Sequence, residues 1–186
     1  MRGERSDVRA DVGVTVLGVG NTLAGDDGVG PALAEALAAA DLPPGTRIRA
    51  AGSDPLTLLE EIEAGRTVLL VDACRSGGRP GTVRWMRLDD PRWPEVAAPL
   101  SLHGLDLHSV FPLARTLGLP LDRAWLMGIE PGAVAPAEGL SEPVRAAWPR
   151  LVAAAQHAVA LLSDGHPLRD PASAPARDAA DSQGAE

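Results

Sequence analysis

The stretch Val16-Leu17-Gly18-Val19-Gly20-Asn21-Thr22-Leu23-Ala24-Gly25-Asp26-Asp27-Gly28-Val29-Gly30 joins an apolar run, a glycine-asparagine loop, two adjacent carboxylates and the start of a helical pattern. That succession predicts a strand, a loop and a helix. Upstream, Val14 joins Val16, Leu17 and Val19 in the near-continuous apolar run of a strand buried on both faces. Downstream, Val29, Leu33, Ala36, Leu37 and Ala40 recur at helical spacing, Pro31 is tolerated in the first turn, and Pro43-Pro44-Gly45 ends the element. In an open α/β sheet such a loop lies at the carboxyl end of its strand, where ligands bind and glycine lets the backbone approach them.

The same alternation continues along the chain. Thr46 to Ala51 predicts a short strand, Leu56, Leu59 and Ile62 a short helix closed by Gly65, and Thr67-Val68-Leu69-Leu70-Val71-Asp72 a second central strand ending on a carboxylate. Thr82 to Leu88 alternates as an edge or antiparallel strand, and Asp89 to Leu100, with its prolines, reads as a loop. Ser101-Leu102-His103-Gly104 leads into a helix carrying Leu107, Val110, Phe111, Ala114 and Leu117, and Asp122 to Ile129 is a further strand. Ser141 is placed to cap a long amphipathic helix that includes Val144, Trp148, Leu151, Ala155, Val159 and Leu162. The expected architecture is a three-layer α/β/α sandwich with a mostly parallel central sheet and one antiparallel strand. Residues 1–12 read as a flexible N-terminus, 13–163 as a single α/β domain, and 164–186, lacking apolar bulk, as a disordered tail.

Composition narrows the chemistry. All 17 basic residues are arginine and the formal net charge is -8, so a broad nucleic-acid footprint is not expected. The absence of lysine removes Schiff-base chemistry and the lysine of a phosphate-binding P-loop. Cys74 is the single cysteine, which excludes an intrachain disulfide framework and a multi-cysteine metal centre; it reads as a small buried thiol. No segment has the pattern of a signal peptide or a membrane span, so a cytoplasmic protein without membrane insertion is expected.

Gly18-Val19-Gly20 resembles the start of a dinucleotide fingerprint, but Leu23 stands where its third glycine belongs. The acid expected about 20 residues later is also missing, because the next strand ends Ala50-Ala51-Gly52. Of Asp26 and Asp27, one can cap the following helix, and the other is then a carboxylate beside glycines at a strand's carboxyl end. His103 and His108 diverge by about 140° on a helix, so only one can face a site, and His103, entering from the loop, is better placed. Asp27, Asp72 and His103 form a set of two hard oxygen ligands and one imidazole, which suits a divalent metal such as nickel or zinc. Arg75 and Arg79, just beyond Asp72, read as surface arginines, with contact to a substrate as the alternative. There is no H-E-x-x-H, G-x-S-x-G or Walker A sequence.

Gly18-Val19-Gly20-Asn21-Thr22-Leu23, Asp26-Asp27-Gly28-Val29-Gly30, Val71-Asp72-Ala73, His103-Gly104-Leu105, Gly128-Ile129-Glu130-Pro131 and Gly139-Leu140-Ser141 together resemble the hydrogenase maturation endopeptidases over about residues 14–162. The resemblance implies a peptidase domain that removes a C-terminal extension from the precursor of a [NiFe]-hydrogenase large subunit after nickel insertion. It also implies that nickel supplied by the substrate is contacted by Asp27, Asp72 and His103, with Asp26 as second choice for the first ligand. Zinc or cadmium could occupy the same site in vitro. The catalytic set implied is the same three residues. Two other readings use the same features: a non-catalytic module that inspects the nickel site without cutting, and a nucleotide-binding α/β domain.

Overall fold

The computed structural model describes residues 13–52, 56–91, 98–99 and 107–170. Six strands run as β1 (Val14–Val19), β2 (Arg47–Gly52), β3 (Thr67–Arg75), β4 (Val83–Arg87), β5 (Ala98–Pro99) and β6 (Ala124–Ile129). The helices are α1 (Val29–Ala38), α2 (Leu56–Glu63), α3 (Leu107–Thr116) and α4 (Glu142–Ser163). The sheet order is β2-β1-β3-β6-β4. The β1–β2, β1–β3 and β3–β6 pairs are parallel, and β4 is antiparallel to β6. This is the expected mostly parallel sheet with one antiparallel strand at its edge.

Alternation along the strands divides the core into two layers. Leu17, Leu70, Leu126 and Met86 face α2 and α3, meeting Leu58, Ile62, Val110 and Ala114. Val16, Leu69, Val71, Met127 and Ile129 face α1 and α4, meeting Leu33, Leu37, Leu151 and Val159. Both faces of the central strands are covered, which is why β1 is buried at every position and reads as an unbroken apolar run. Each fully buried leucine contributes about 1.5–3 kcal/mol relative to exposure. The helix that follows the first loop lies backbone to backbone on the sheet. A Cβ on Gly30 would overlap the carbonyl oxygens of Val19 and Val71, so only glycine lets α1 start this close to β1 and β3.

Three elements differ from the sequence reading. β3 does not end at Asp72 but continues through Ala73 and Cys74 to Arg75, because β5, inside the expected 89–100 loop, pairs antiparallel with Cys74 and Arg75. Ser141 occupies the N-cap position of α4 but makes no side-chain cap; its hydroxyl is used elsewhere, as described below. The folded unit also continues beyond residue 163. Leu168 is buried against the α4 face of the core, and Arg84 of β4 lies 3.6 Å from Asp170, so 166–170 belong to the domain rather than to a tail. Residues 1–12 and 171–186 lie outside the described residues. Among the described residues, no helix is long and apolar enough to cross a membrane.

Candidate functional site

The loop after β1 brings Asp27 back over the end of its own strand. Gly25–Gly28 form a short 3-10 turn in which both Asp26 and Asp27 are buried. Gly20 has φ +131°, and a Cβ there would overlap the carbonyl oxygen of Asp27, so this close return requires glycine. Asp27 Oδ2 accepts a hydrogen bond of 2.8 Å from the Asn21 N–H. Neither aspartate supplies a side-chain cap to α1. The expectation that one of the pair caps the helix therefore gives way to two other uses.

Asp26 is committed to the protein. Its oxygens accept hydrogen bonds from the N–H groups of Gly132 (2.7 Å), Ala133 (2.9 Å) and Ser141 (2.6 Å) and from the Ser141 hydroxyl (2.6 Å). Burial pushes its pKa up, but the Ser141 hydroxyl and the N–H groups of Ala133, Ser141 and Gly132 outweigh that and hold the carboxyl below its ordinary value. Asp26 is thus a charged clamp joining the first loop to the 132–141 segment. With three donors on Oδ2 and one on Oδ1, little lone-pair capacity is left for a cation.

Asp72 is in the opposite situation. It is 3% exposed, and Oδ1 accepts a 2.8 Å hydrogen bond from the N–H of its neighbour Ala73. Burial first, and then the negative charge of Asp27, push its carboxyl well above the usual range, with only the Ala73 N–H acting against them. Two buried carboxylates close enough to repel each other favour a proton or a cation between them, since an uncompensated buried charge is costly. Two of the three residues expected in the site are therefore brought together, from the loop after β1 and from β3. His103 lies outside the described residues, as do Ser101, Leu102 and Gly104. Among the described residues, no cluster of three or more His, Cys, Asp or Glu side chains is arranged to hold a metal ion.

Glu130 and Leu23 were not assigned by sequence reasoning. Glu130, just past the end of β6, is buried and accepts from the Ser76 N–H (2.7 Å), the Ser76 hydroxyl (2.7 Å) and the Gly78 N–H (3.1 Å). Burial raises its pKa, and the bonds from Ser76 and from the N–H groups of Gly78 and Gly77 more than reverse that. It fixes the loop that follows β3. The available signal was a carboxylate at a strand end, the feature that singled out Asp72. Leu23 is 65% exposed although its backbone is pinned, its N–H donating to Asn21 Oδ1 (2.9 Å) and its carbonyl accepting from the Ala137 N–H (3.1 Å). A rigid loop thus holds an apolar side chain out at the rim. Cys74 is a buried thiol whose pKa is pushed well up, by burial and then by the charges of Asp72 and Glu130, which disfavours the nucleophilic thiolate.

Comparison with known proteins agrees with this geometry. Residues 31–158 match the family model described as hydrogenase maturation protease. The chain is 31% identical over 161 residues to the hydrogenase expression/formation protein HupM of Azotobacter chroococcum, covering 85% of this chain and 75% of that protein. It is 34% identical over 119 residues to the hydrogenase expression/formation protein HupD of Rhodobacter capsulatus, covering 63% of this chain and 57% of that one, so the match spans less than two thirds of that relative's length. The fold superposes on the hydrogenase maturating endopeptidase HybD of E. coli with a TM-score of 0.64 at 25% identity, covering 87% of this chain and 99% of that chain. The chain belongs to the hydrogenase maturation protease family.

Proposed function

We propose that this protein is an endopeptidase that removes the C-terminal extension of a [NiFe]-hydrogenase large-subunit precursor once nickel has been inserted. The observation that carries the reading is the buried Asp27–Asp72 pair, whose mutual repulsion is relieved when a divalent cation enters between them. Nickel here is cargo of the substrate, and the protein contributes ligands to it. Asp27 supplies oxygen from the loop after β1, Asp72 supplies oxygen from β3, and His103 supplies a nitrogen. Asp26, saturated by its own donors, is left to hold the loop. A precursor without nickel leaves the carboxylates unmatched, so recognition depends on metal loading. A bound divalent ion polarises a peptide carbonyl or lowers the pKa of a water. The carboxylates orient that water or take up its proton. Family membership and the shared fold support the proteolytic reading over a module that inspects without cutting. Leu23, 65% exposed on the loop that carries Asp27, offers the folded subunit an apolar contact.

The test is incubation of the protein with nickel-loaded and nickel-free precursor, reading the C-terminal mass with time. Cleavage of the loaded form alone is expected. Binding of the loaded form with no change in mass would favour the inspecting module, and equal cleavage of both forms would remove nickel from recognition.

A further inference from the structure

Gly165 ends α4 and turns the chain back along it. Its φ is +75°, and the N–H groups of Gly165 and His166 donate to the carbonyls of Leu162 (3.1 Å) and Leu161 (2.8 Å), the paired bonds of a helix terminus closed by a left-handed glycine. Residues 166–170 therefore leave as a strap between α4 and the edge strand β4. The strap is fixed at two points. Leu168 is 8% exposed, packed on the α4 face of the core, and Asp170 Oδ2 lies 3.6 Å from Arg84 Nη1.

Helix, strap and edge strand border a cavity of about 470 Å³, within the range of about 300–1,000 Å³ usual for small-molecule sites. Ala154, His157, Ala158 and Leu161 stand at helical spacing, so one stripe of α4 forms its first wall. Leu168 of the strap and Trp85 of β4 add apolar surface from the other two sides. Three N–H-bearing side chains stand at this apolar floor: His157, His166 and Arg169, all exposed and so reachable from solvent. Among the described residues, none of the three side chains has a hydrogen-bond or ion-pair partner, and no carboxylate lines the cavity. In a chain whose formal net charge is -8, this is a local reversal of sign. The cavity is also separate from the carboxylate pair. Leu70 and Cys74, two positions either side of Asp72, belong to the layer of α2 and α3, so alternation sends Asp72 to that face, whereas the cavity lies on the face of α4.

We infer that this cavity binds a small amphipathic anion, a carboxylate on a hydrocarbon body. The body lies on Trp85, Leu161 and Leu168, where its removal from water supplies the affinity. The carboxylate faces Arg169, whose parallel N–H groups fit both of its oxygens, with the two imidazoles as further donors. Such a ligand would join the strap to the last turns of α4 and to the edge of the sheet. The inference does not depend on the proteolytic reading, since no residue of the cavity belongs to the Asp27–Asp72 site.

The experiment titrates the full chain with octanoate and follows the indole N–H resonance of Trp85 by NMR. A saturable shift with a dissociation constant of about 1 mM or tighter is expected. Octan-1-ol, with the same body and no charge, and octyltrimethylammonium, with the opposite charge, should bind at least about fivefold more weakly, the upper end of what an exposed ion pair contributes. Arg169→Gln should weaken octanoate by about the same factor and leave octan-1-ol unchanged. Ala154→Phe, at a partly exposed position of α4, fills the cavity and should abolish the shift while the rest of the amide spectrum is kept. If that variant does not fold, the exposed Arg169→Gln decides. No saturable shift at millimolar octanoate overturns the inference, as does equal binding of the three probes, or octanoate binding that is unchanged in Arg169→Gln or in folded Ala154→Phe. No readout uses precursor cleavage, so failure here leaves the proteolytic reading standing.

Discussion

The two ends of the sheet treat a buried carboxylate in opposite ways. At the amino end, Glu61 of α2 accepts from the Thr15 hydroxyl (2.7 Å) and from Arg49 Nη1 (2.7 Å), with Arg66 Nε 3.7 Å away. Arg66, 1% exposed, also donates to Thr15 Oγ1 (2.7 Å) and to the carbonyls of Val14 (3.1 Å) and Gly45 (2.7 Å). Charge is matched there, and the polar groups tie β1, β3, α2 and the loop before β2 together. At the carboxyl end, the charge acting on Asp72 is another negative one, that of Asp27. Burial is comparable, so compensation is what separates a structural carboxylate from one kept for a ligand.

This contrast is tested most severely at Asp72. Asp72→Asn is expected to lower precursor cleavage by at least about a hundredfold, judged from losses on removing one group that acts on the reacting centre. Its urea midpoint should be unchanged or higher, since a poorly matched buried acid is removed. A folded variant that still cuts would take Asp72 out of the site.

The mirror-image change, Arg66→Ala, leaves Glu61 short of a partner and should cost about 3–5 kcal/mol of stability, while the folded fraction keeps its activity. Chemical denaturation and cleavage per folded molecule measure the two. Loss of specific activity at full stability would collapse the distinction between the ends.

Asp26→Asn turns one acceptor oxygen into a donor facing N–H groups and so strands at least one of them. About 1–3 kcal/mol of stability is expected to be lost, with cleavage falling far less than for Asp72→Asn. Equal losses of cleavage in the two variants would make Asp26 a ligand rather than a clamp.

The smallest effect is one of pH. Burial raises the Glu61 pKa, but the bonds from Thr15 and Arg49 and the charges of Arg49 and Arg66 outweigh it, so the folded-state value lies below the unfolded one. Its stabilising contribution is complete above the unfolded pKa of about 4.3 and disappears as pH falls through the lower, folded one. The difference in urea midpoint between the wild type and Glu61→Gln should therefore be present at neutral pH and shrink in acid. A difference that grows in acid would mean that Glu61 is not the paired anion described.

The central strands, the helices and the layering were legible because burial on two faces leaves unbroken apolar runs, as at Val68–Val71, and one-sided burial leaves helical spacing, as at Leu33 and Leu37. Asp27 and Asp72 stood out as acids at strand ends. The continuation of β3 through Arg75 was not legible, because it depends on pairing with β5, a two-residue partner with no periodicity of its own. The packing of 166–170 was missed for a related reason: a single leucine and one ion pair are too sparse a pattern to read in a polar segment. The place of Arg84 in a row with Asp72 was not legible either, because it follows from register across two strand pairs.

The chain by itself determined which segments must be buried, where the glycine-rich loop lies, and that its acids sit at the carboxyl end of a parallel sheet. Those properties depend on local periodicity and on residue type. Only the tertiary structure decided which of two adjacent aspartates is spent as a clamp. Asp26 receives its donors from residues 132–141, more than a hundred positions away, whereas Asp27 acts on Asp72 through its negative charge. Local sequence carries no record of such distant hydrogen-bond donors, and it is they that divide the work between two neighbouring carboxylates in the opening loop.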